Sequence, residues 1–120
     1  MLMNTISIVD LEITCIIGIH PNERVEEQPL LIDINLDVDL GDSAFSDDID
    51  KTIDYTIIAE MATQLAIKKK YNLIESFCKD LNNLLIETFQ VIQQTRITVK
   101  KTNALPKAKY AAYTMKKSRI

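Results

Sequence analysis

Four separated stretches carry the residue types of one small-molecule site. Glu23 lies five residues ahead of Gln28 in the first connection. Asp47-Asp48 is followed closely by Thr52-Ile53-Asp54-Tyr55. Asn72-Leu73-Ile74-Glu75 stands where a helix should begin, and Lys101-Thr102-Asn103-Ala104-Leu105-Pro106 follows an alternating strand. Carboxylates, a phenol and an amine make up a set for acid/base chemistry on a polar heterocycle without a cofactor. A metal mechanism is not expected. The chain has one histidine, His20, and its two cysteines fall in separate apolar segments, whereas a catalytic zinc usually takes three protein ligands. No GxGxxG, Walker A or GxSxG pattern is present, so nucleotide-binding and serine-hydrolase readings have no support.

Each candidate also has a plainer reading. Lys101 shares the phase of Ile97 and Val99, the buried face of its strand, while Lys100 shares that of Arg96 and Thr98. A lysine aimed into apolar surroundings tends toward a lowered pKa and can serve as a general base. It can equally snorkel from the strand end, and parity alone leaves Lys101 open between the two. Lys100 is expected to be a solvated surface charge. Glu75 is placed to complete a capping box with Asn72 as N-cap, yet a carboxylate beside free helix N–H groups can also grip a polar ring. Glu23 sits in the acidic connection Asn22-Glu23-Arg24-Val25-Glu26-Glu27 and by itself reads as a solvated loop charge. Tyr55 opens a helix and by itself reads as a packing residue. Asp47, Asp48 and Asp54 read as turn and cap residues, and His20 as a turn residue between strands.

The elements that must position these groups follow from hydrophobic periodicity. From Thr5 to Ile19 the chain alternates, with Ile6 and Ile8 in one phase and Leu11, Ile13, Cys15, Ile17 and Ile19 in the other. The slip at Val9-Asp10 predicts a β-bulge. Leu30, Ile32, Ile34, Leu36, Val38 and Leu40 oppose Leu31, Asp33, Asn35, Asp37 and Asp39, which predicts a strand with one buried and one wet face. Gly41-Asp42-Ser43 supplies a turn. Ile57, Ile58, Met61, Ala62 and Leu65 recur at helical steps, as do Leu73, Phe77, Leu81, Leu84, Leu85 and Phe89. Strands return at Thr95–Lys101 and Tyr110–Lys117, the latter with Ala111, Tyr113 and Met115 in phase. The order ββααββ predicts a single α+β domain over residues 1–120, a four-stranded antiparallel sheet with both helices on one face. Its two exposed edges are a liability that edge-to-edge assembly into a barrel would remove.

Composition narrows the classes further. The chain has 120 residues, 47% apolar and 26% charged, with only two Gly and three Pro. It can build a real core and is not disordered. A net charge of −3, from 14 basic and 17 acidic residues, disfavours nucleic acid as a partner. Lys68-Lys69-Lys70 reads first as cations complementing a helix C-terminus. Cys15 and Cys78 are expected to be buried thiols, not a disulfide framework. No signal peptide and no apolar run of about 18 residues is evident, so a cytoplasmic protein without a membrane partner is expected.

In this order and spacing the motifs resemble the dihydroneopterin aldolase family. Ile17-Gly18-Ile19 with Glu23 and Gln28 resembles the family's first-hairpin pattern. Asp47-Asp48-Ile49 through Thr52-Ile53-Asp54-Tyr55, then Leu73-Ile74-Glu75, then Lys101 with Ala104-Leu105-Pro106, complete it across about residues 5–119. The resemblance implies the ββααββ tunnelling fold. It also implies cleavage of the C1′–C2′ bond of 7,8-dihydroneopterin, giving 6-hydroxymethyl-7,8-dihydropterin and glycolaldehyde, a step of folate biosynthesis. The substrate's own imine takes the electrons, so neither a Schiff-base lysine nor a metal is implied. Carried over residue by residue, Glu75 matches the anchor of the pterin's amino-pyrimidinone edge, with Leu73 and Ile74 beside it. Lys101 matches the catalytic lysine working with ordered water, Glu23 the carboxylate near the side-chain hydroxyls, and Tyr55 the phenol that reprotonates the enol. Ile53 offers backbone contacts. The doubled lysine leaves Lys100 as an alternative to Lys101, although alternation favours Lys101. The implied assembly is a homo-oligomeric ring, a tetramer or a stacked octamer, with the pocket between subunits. C2′ epimerase activity could accompany cleavage. A sister family, the dihydroneopterin triphosphate epimerases, shares these motifs and would want a basic rim, for which Lys107 and Lys109 are candidates. A non-catalytic pterin-binding or structural ring protein is the remaining alternative.

Overall fold

The alternation from Leu30 to Val38 organises the molecule. Leu30, Ile32, Ile34, Leu36 and Val38 are fully buried, whereas Asp33, Asn35 and Asp37 stay partly open to water. Burying one such aliphatic side chain contributes roughly 1.5–3 kcal/mol. A one-residue slip of register would turn the whole set outward, so the register is strongly specified. The computed structural model describes residues 3–41 and 46–119. Within them the order is β1 (Asn4–Cys15), β2 (Gln28–Val38), a short 3-10 turn (Ile49–Lys51), α1 (Tyr55–Lys69), α2 (Ile74–Thr88), β3 (Ile92–Lys101) and β4 (Ala111–Ser118). The strands form one antiparallel sheet in chain order, β1-β2-β3-β4. Asp42 and Ser43 of the expected turn lie outside the described residues.

The predicted bulge is present. The β1–β2 register shifts between Ile8 and Leu11, and Asp10 turns into the left-handed region at φ 54°. Its N–H donates to Asp33 Oδ1 at 2.8 Å, which replaces the lost ladder bond. β1 ends earlier than the alternation implied. Ile17 is buried but Ile19 is 65% exposed, because the chain leaves the sheet after Cys15 to build the first connection. β3 begins earlier than expected, at Ile92, and continues the apolar phase of Ile97 and Val99 less regularly.

Both helices cover one face of the sheet, α1 against β1 and α2 against β3 and β4, and they touch each other. Asp54 caps α1 by accepting from the Thr56 N–H at 2.9 Å. Lys68 and Lys69 occupy its last turn, and Lys70 closes it at φ 47°, as the helix dipole favours. The buried stripe of α1 is Ile58, Ala62 and Ala66. Ile57, expected in the core, is 51% exposed, since it lies about 100° round the helix from the stripe of Ile58, Ala62 and Ala66. On α2 the stripe is Phe77, Cys78, Leu81, Leu85 and Ile86. Asn82 is buried among them. Its amide donates to Cys78 O at 2.8 Å and its Oδ1 accepts from the Thr95 hydroxyl, which joins α2 to β3. Cys15 and Cys78 are free buried thiols, each pushed up to about 11, chiefly by burial.

One charge lies on the face that alternation gives it but is covered. Lys100 is 7% exposed, not solvated. On the sheet face away from the helices its ammonium pairs with Asp10 and, at 2.9 Å, with Asp33, and lies 5.3 Å from the centre of the Tyr110 ring. The bulge turns the Asp10 carboxylate across β2, and this covers the lysine. The hydrogen bond to Asp10, supported by Asp33, holds the Lys100 ammonium above the usual lysine range despite its burial. No helix among the described residues is long and apolar enough to cross a membrane.

Candidate active site

The first connection builds one wall of a cleft. One tight turn closes where His20 O accepts from the N–H groups of Glu23 (2.9 Å) and Arg24 (3.2 Å). That turn sends the Glu23 side chain back over Gly18. Its Oε1 accepts from the His20 N–H at 3.2 Å and its Oε2 from Gln28 Nε2 at 3.0 Å. Gln28 also donates to Ile17 O at 2.7 Å. Lys101, the last residue of β3, closes the set with Nζ 2.5 Å from Glu23 Oε2. The two charged side chains are only 13% and 17% exposed. Burial works to raise the Glu23 carboxyl, but the Lys101 ammonium and the Gln28 and His20 donors outweigh it and hold the group at about 2. Glu23 is therefore a fixed, ionised acceptor and not the solvated loop charge its acidic neighbourhood implied.

Gly18 makes this approach possible. Its φ of +122° is closed to other residues without strain, and a Cβ there would overlap the Glu23 carboxylate.

The opposite wall is the start of α2. Leu73, not Asn72, is the N-cap, and no side chain caps the helix. Glu75 is thus the second helical residue, one position early for the expected capping box, and it is exposed. The plainer reading of Glu75 does not hold. The first turn instead presents a carboxylate next to uncapped N–H groups, a pairing suited to a ring that offers both donors and an acceptor.

Between the walls lies a cavity of about 600 Å³ lined by Glu23, Gln28 and Lys101, by Leu73, Ile74 and Glu75, and by His20, Asn103 and Ala104. That volume suits a bicyclic small molecule. Glu26 and Glu27 stand on its rim. Five of the candidate residues thus meet in one chain: Glu23, Leu73, Ile74, Glu75 and Lys101. Two do not line the cleft. Ile53 is 4% exposed in the core, and Tyr55 is 63% exposed at the first position of α1. Lys100 is on the other face of the sheet, so the doubled lysine is divided between two sites. Lys107 and Lys109 are exposed and are not among the lining residues. Among the described residues no three His, Cys, Asp or Glu side chains are grouped to hold a metal ion. In the sequence Arg24 carries no functional signal, and Gly18 and Gln28 stand out only as members of a pattern. The one early signal for Gly18 is rarity, since the chain has just two glycines.

A helix-backed antiparallel sheet with an acid/base pair at the mouth of a polar cleft defines a small α+β protein of the ββααββ tunnelling class. Comparison with known proteins makes this specific. The family model for FolB, dihydroneopterin aldolase, matches residues 6–116. A dihydroneopterin aldolase of Streptomyces coelicolor is 29% identical over 87 residues, 72% of each chain. The structure of Escherichia coli dihydroneopterin aldolase in complex with neopterin superposes with a TM-score of 0.90 at 25% identity, covering 96% of this chain and 99% of that one. The FolB protein of Vibrio cholerae shares the fold at a TM-score of 0.92 and 24% identity, over 99% of this chain and 100% of its own. The chain belongs to the dihydroneopterin aldolase family.

Proposed function

We propose that the protein cleaves 7,8-dihydroneopterin by a retro-aldol reaction to 6-hydroxymethyl-7,8-dihydropterin and glycolaldehyde, without a metal. The observation that carries this reading is the Glu23–Lys101 pair at 2.5 Å in the same cleft as the uncapped, Glu75-bearing start of α2. Glu75 accepts the amino and ring N–H groups of the pterin, and the α2 backbone meets the remaining ring atoms. The dihydroxylated side chain then extends toward Glu23 and Lys101.

The proton steps balance within substrate and protein. The Lys101 ammonium, acting through water, gives a proton to N5, and the amine so formed takes the proton of the C2′ hydroxyl. The C1′–C2′ bond breaks, C2′ leaves as the aldehyde carbon of glycolaldehyde, and the electron pair moves through C6 to the protonated N5. The enol so formed is protonated at C1′ by a phenol, and N5 gives its proton to the resulting phenolate, restoring the C6=N5 bond and both protein groups. Glu23 accepts hydrogen bonds from the side-chain hydroxyls and keeps the Lys101 ammonium on station. Tyr55 supplies the C1′ proton from a neighbouring copy of the chain, with Ile53 beside it. This fits an exposed phenol that does not line the cleft of its own chain and edge strands β1 and β4 that are open to pairing. A homo-oligomeric ring is part of the proposal.

A triphosphorylated substrate is less well served. The rim carries Glu26 and Glu27, and Lys107 and Lys109 do not line it, so a polyanion would meet like charge.

Lys101→Ala tests the assignment. Turnover of 7,8-dihydroneopterin should fall roughly 10²–10⁴-fold, the usual worth of a general acid/base, while the bound fraction of a pterin product analogue stays within a few-fold. A variant that keeps more than a tenth of the turnover would contradict the role.

A further inference from the structure

We infer that Arg24 is a positioning residue that sets the distance between the acid/base pair and the ring-binding start of α2. The inference rests on the functional reading above and concerns a side chain outside the cleft. The two walls are carried by distant parts of the chain, the 16–27 connection and the 70–73 link that leads into α2, and Arg24 bonds to both. Its Nη1 donates to Gly18 O at 3.1 Å and to Tyr71 O at 3.2 Å, and its Nη2 donates to Lys70 O at 2.9 Å. The Gly18 N–H reaches Tyr71 O at 3.2 Å beside it.

Each partner is tied to the chemistry. Gly18 is the floor on which the Glu23 carboxylate rests, and Glu23 directly precedes Arg24 in the chain. Lys70 and Tyr71 follow α1 and lead into Leu73-Ile74-Glu75. Tyr71 is itself anchored, its hydroxyl 2.7 Å from Asp80 Oδ2 and its ring 5.6 Å from that of Phe77, so the link that Arg24 grips is held to α2. A planar guanidinium can serve three carbonyls spread in one fork, which a lysine ammonium cannot do with the same geometry. One of these carbonyls belongs to Lys70, the C-cap of α1, where a cation is favourable. A substrate held at Glu75 must present its C2′ hydroxyl to Lys101, and a misplacement of about 1 Å can cost on the order of 10²-fold in rate.

The experiment compares wild type, Arg24→Lys and Arg24→Ala. It measures kcat and KM for 7,8-dihydroneopterin, the Kd of 6-hydroxymethylpterin (which lacks the cleavable side chain), and amide hydrogen exchange. The expected result is a kcat lowered about 10–100-fold in both variants, including the charge-retaining lysine. The Kd of the short pterin should change less than about threefold. Exchange should quicken in residues 16–27 and 70–76 but not in β2 or β3. A merely structural arginine would lower melting temperature and spare kcat in the folded fraction. A kcat within twofold of wild type in both variants, or unchanged exchange in the two segments, would overturn the inference. Should wild type not turn the substrate over at all, the functional reading fails separately, and Arg24 is then judged by the exchange data alone.

Discussion

Replacing Gly18 with alanine is the sharpest perturbation of the acid/base pair, because it adds one methyl group and removes no functional atom. The added Cβ would fall on the Glu23 carboxylate, and the backbone at φ +122° would hold a side chain in a region other residues avoid. Holding that conformation costs about 1–3 kcal/mol. Expelling the carboxylate breaks its bonds to His20 (3.2 Å), Gln28 (3.0 Å) and Lys101 (2.5 Å). For a partly shielded cluster that loss is about 1–2 kcal/mol net. Together the penalty is about 2–5 kcal/mol, and a central value of about 3 lowers Tm by roughly 10–15 °C in a domain of this size. Thermal unfolding followed by circular dichroism measures it, with turnover taken well below the transition. Gly41→Ala is the control. Gly41 also has positive φ, at 56°, but among the described residues nothing lies within 4 Å of its Cβ position, so about 1 kcal/mol is expected there. A Gly18→Ala protein melting within about 3 °C of wild type, with full activity, would refute the placement of Glu23 over Gly18.

Other outcomes follow from the same geometry. Glu75→Ala should weaken pterin binding by about 2–4 kcal/mol, the cost of losing a charged acceptor for two ring donors, read as a Kd raised about 30- to 1000-fold by fluorescence titration. Glu23 is held at about 2 against an ordinary 4.5. Its contribution to stability is therefore complete above about pH 4.5 and lost as pH falls toward 2. Glu23→Gln should lack that loss, so the difference in Tm between the two proteins should shrink between pH 5 and pH 2. Lys100→Met should cost about 1–3 kcal/mol by leaving Asp10 and Asp33 without their cation, measured by urea unfolding, and should leave kcat within about threefold, since Lys100 faces away from the cleft.

Much of this architecture is legible in the chain because one face of one sheet is buried. The run from Leu30 to Val38 states its own register, the slip at Val9-Asp10 announces the bulge, and Asp54 before an apolar periodic segment marks the start of α1. Periodicity carries less information where two physical causes leave the same local pattern. Asn72 and Glu75 have capping-box spacing, yet the helix starts one residue later and Glu75 is left to face a cleft. Alternation gives the side of β3 on which Lys100 lies, but not that a left-handed Asp10 two strands away would cover it. The Glu23–Lys101 pair joins groups far apart in sequence, and either residue alone reads as a surface charge. Arg24 is hidden for the same reason: its acceptors Lys70 and Tyr71 are 46 and 47 positions away, and in the chain it is one cation in an acidic loop. Tyr55 and Ile53 have a role only through resemblance to the family pattern, and the fold of one chain leaves them outside the cleft, so a neighbouring copy would have to bring Tyr55 to it.

The most direct test is incubation of the purified protein, treated with chelator, with 7,8-dihydroneopterin, followed by oxidation and fluorescence chromatography of the products. Formation of 6-hydroxymethylpterin with an equal amount of glycolaldehyde, at a rate the chelator does not reduce, is the expected result. Unchanged substrate, a C2′ epimer alone, or activity abolished by the chelator and restored by a metal ion would contradict a metal-free aldolase built on Glu23, Glu75 and Lys101.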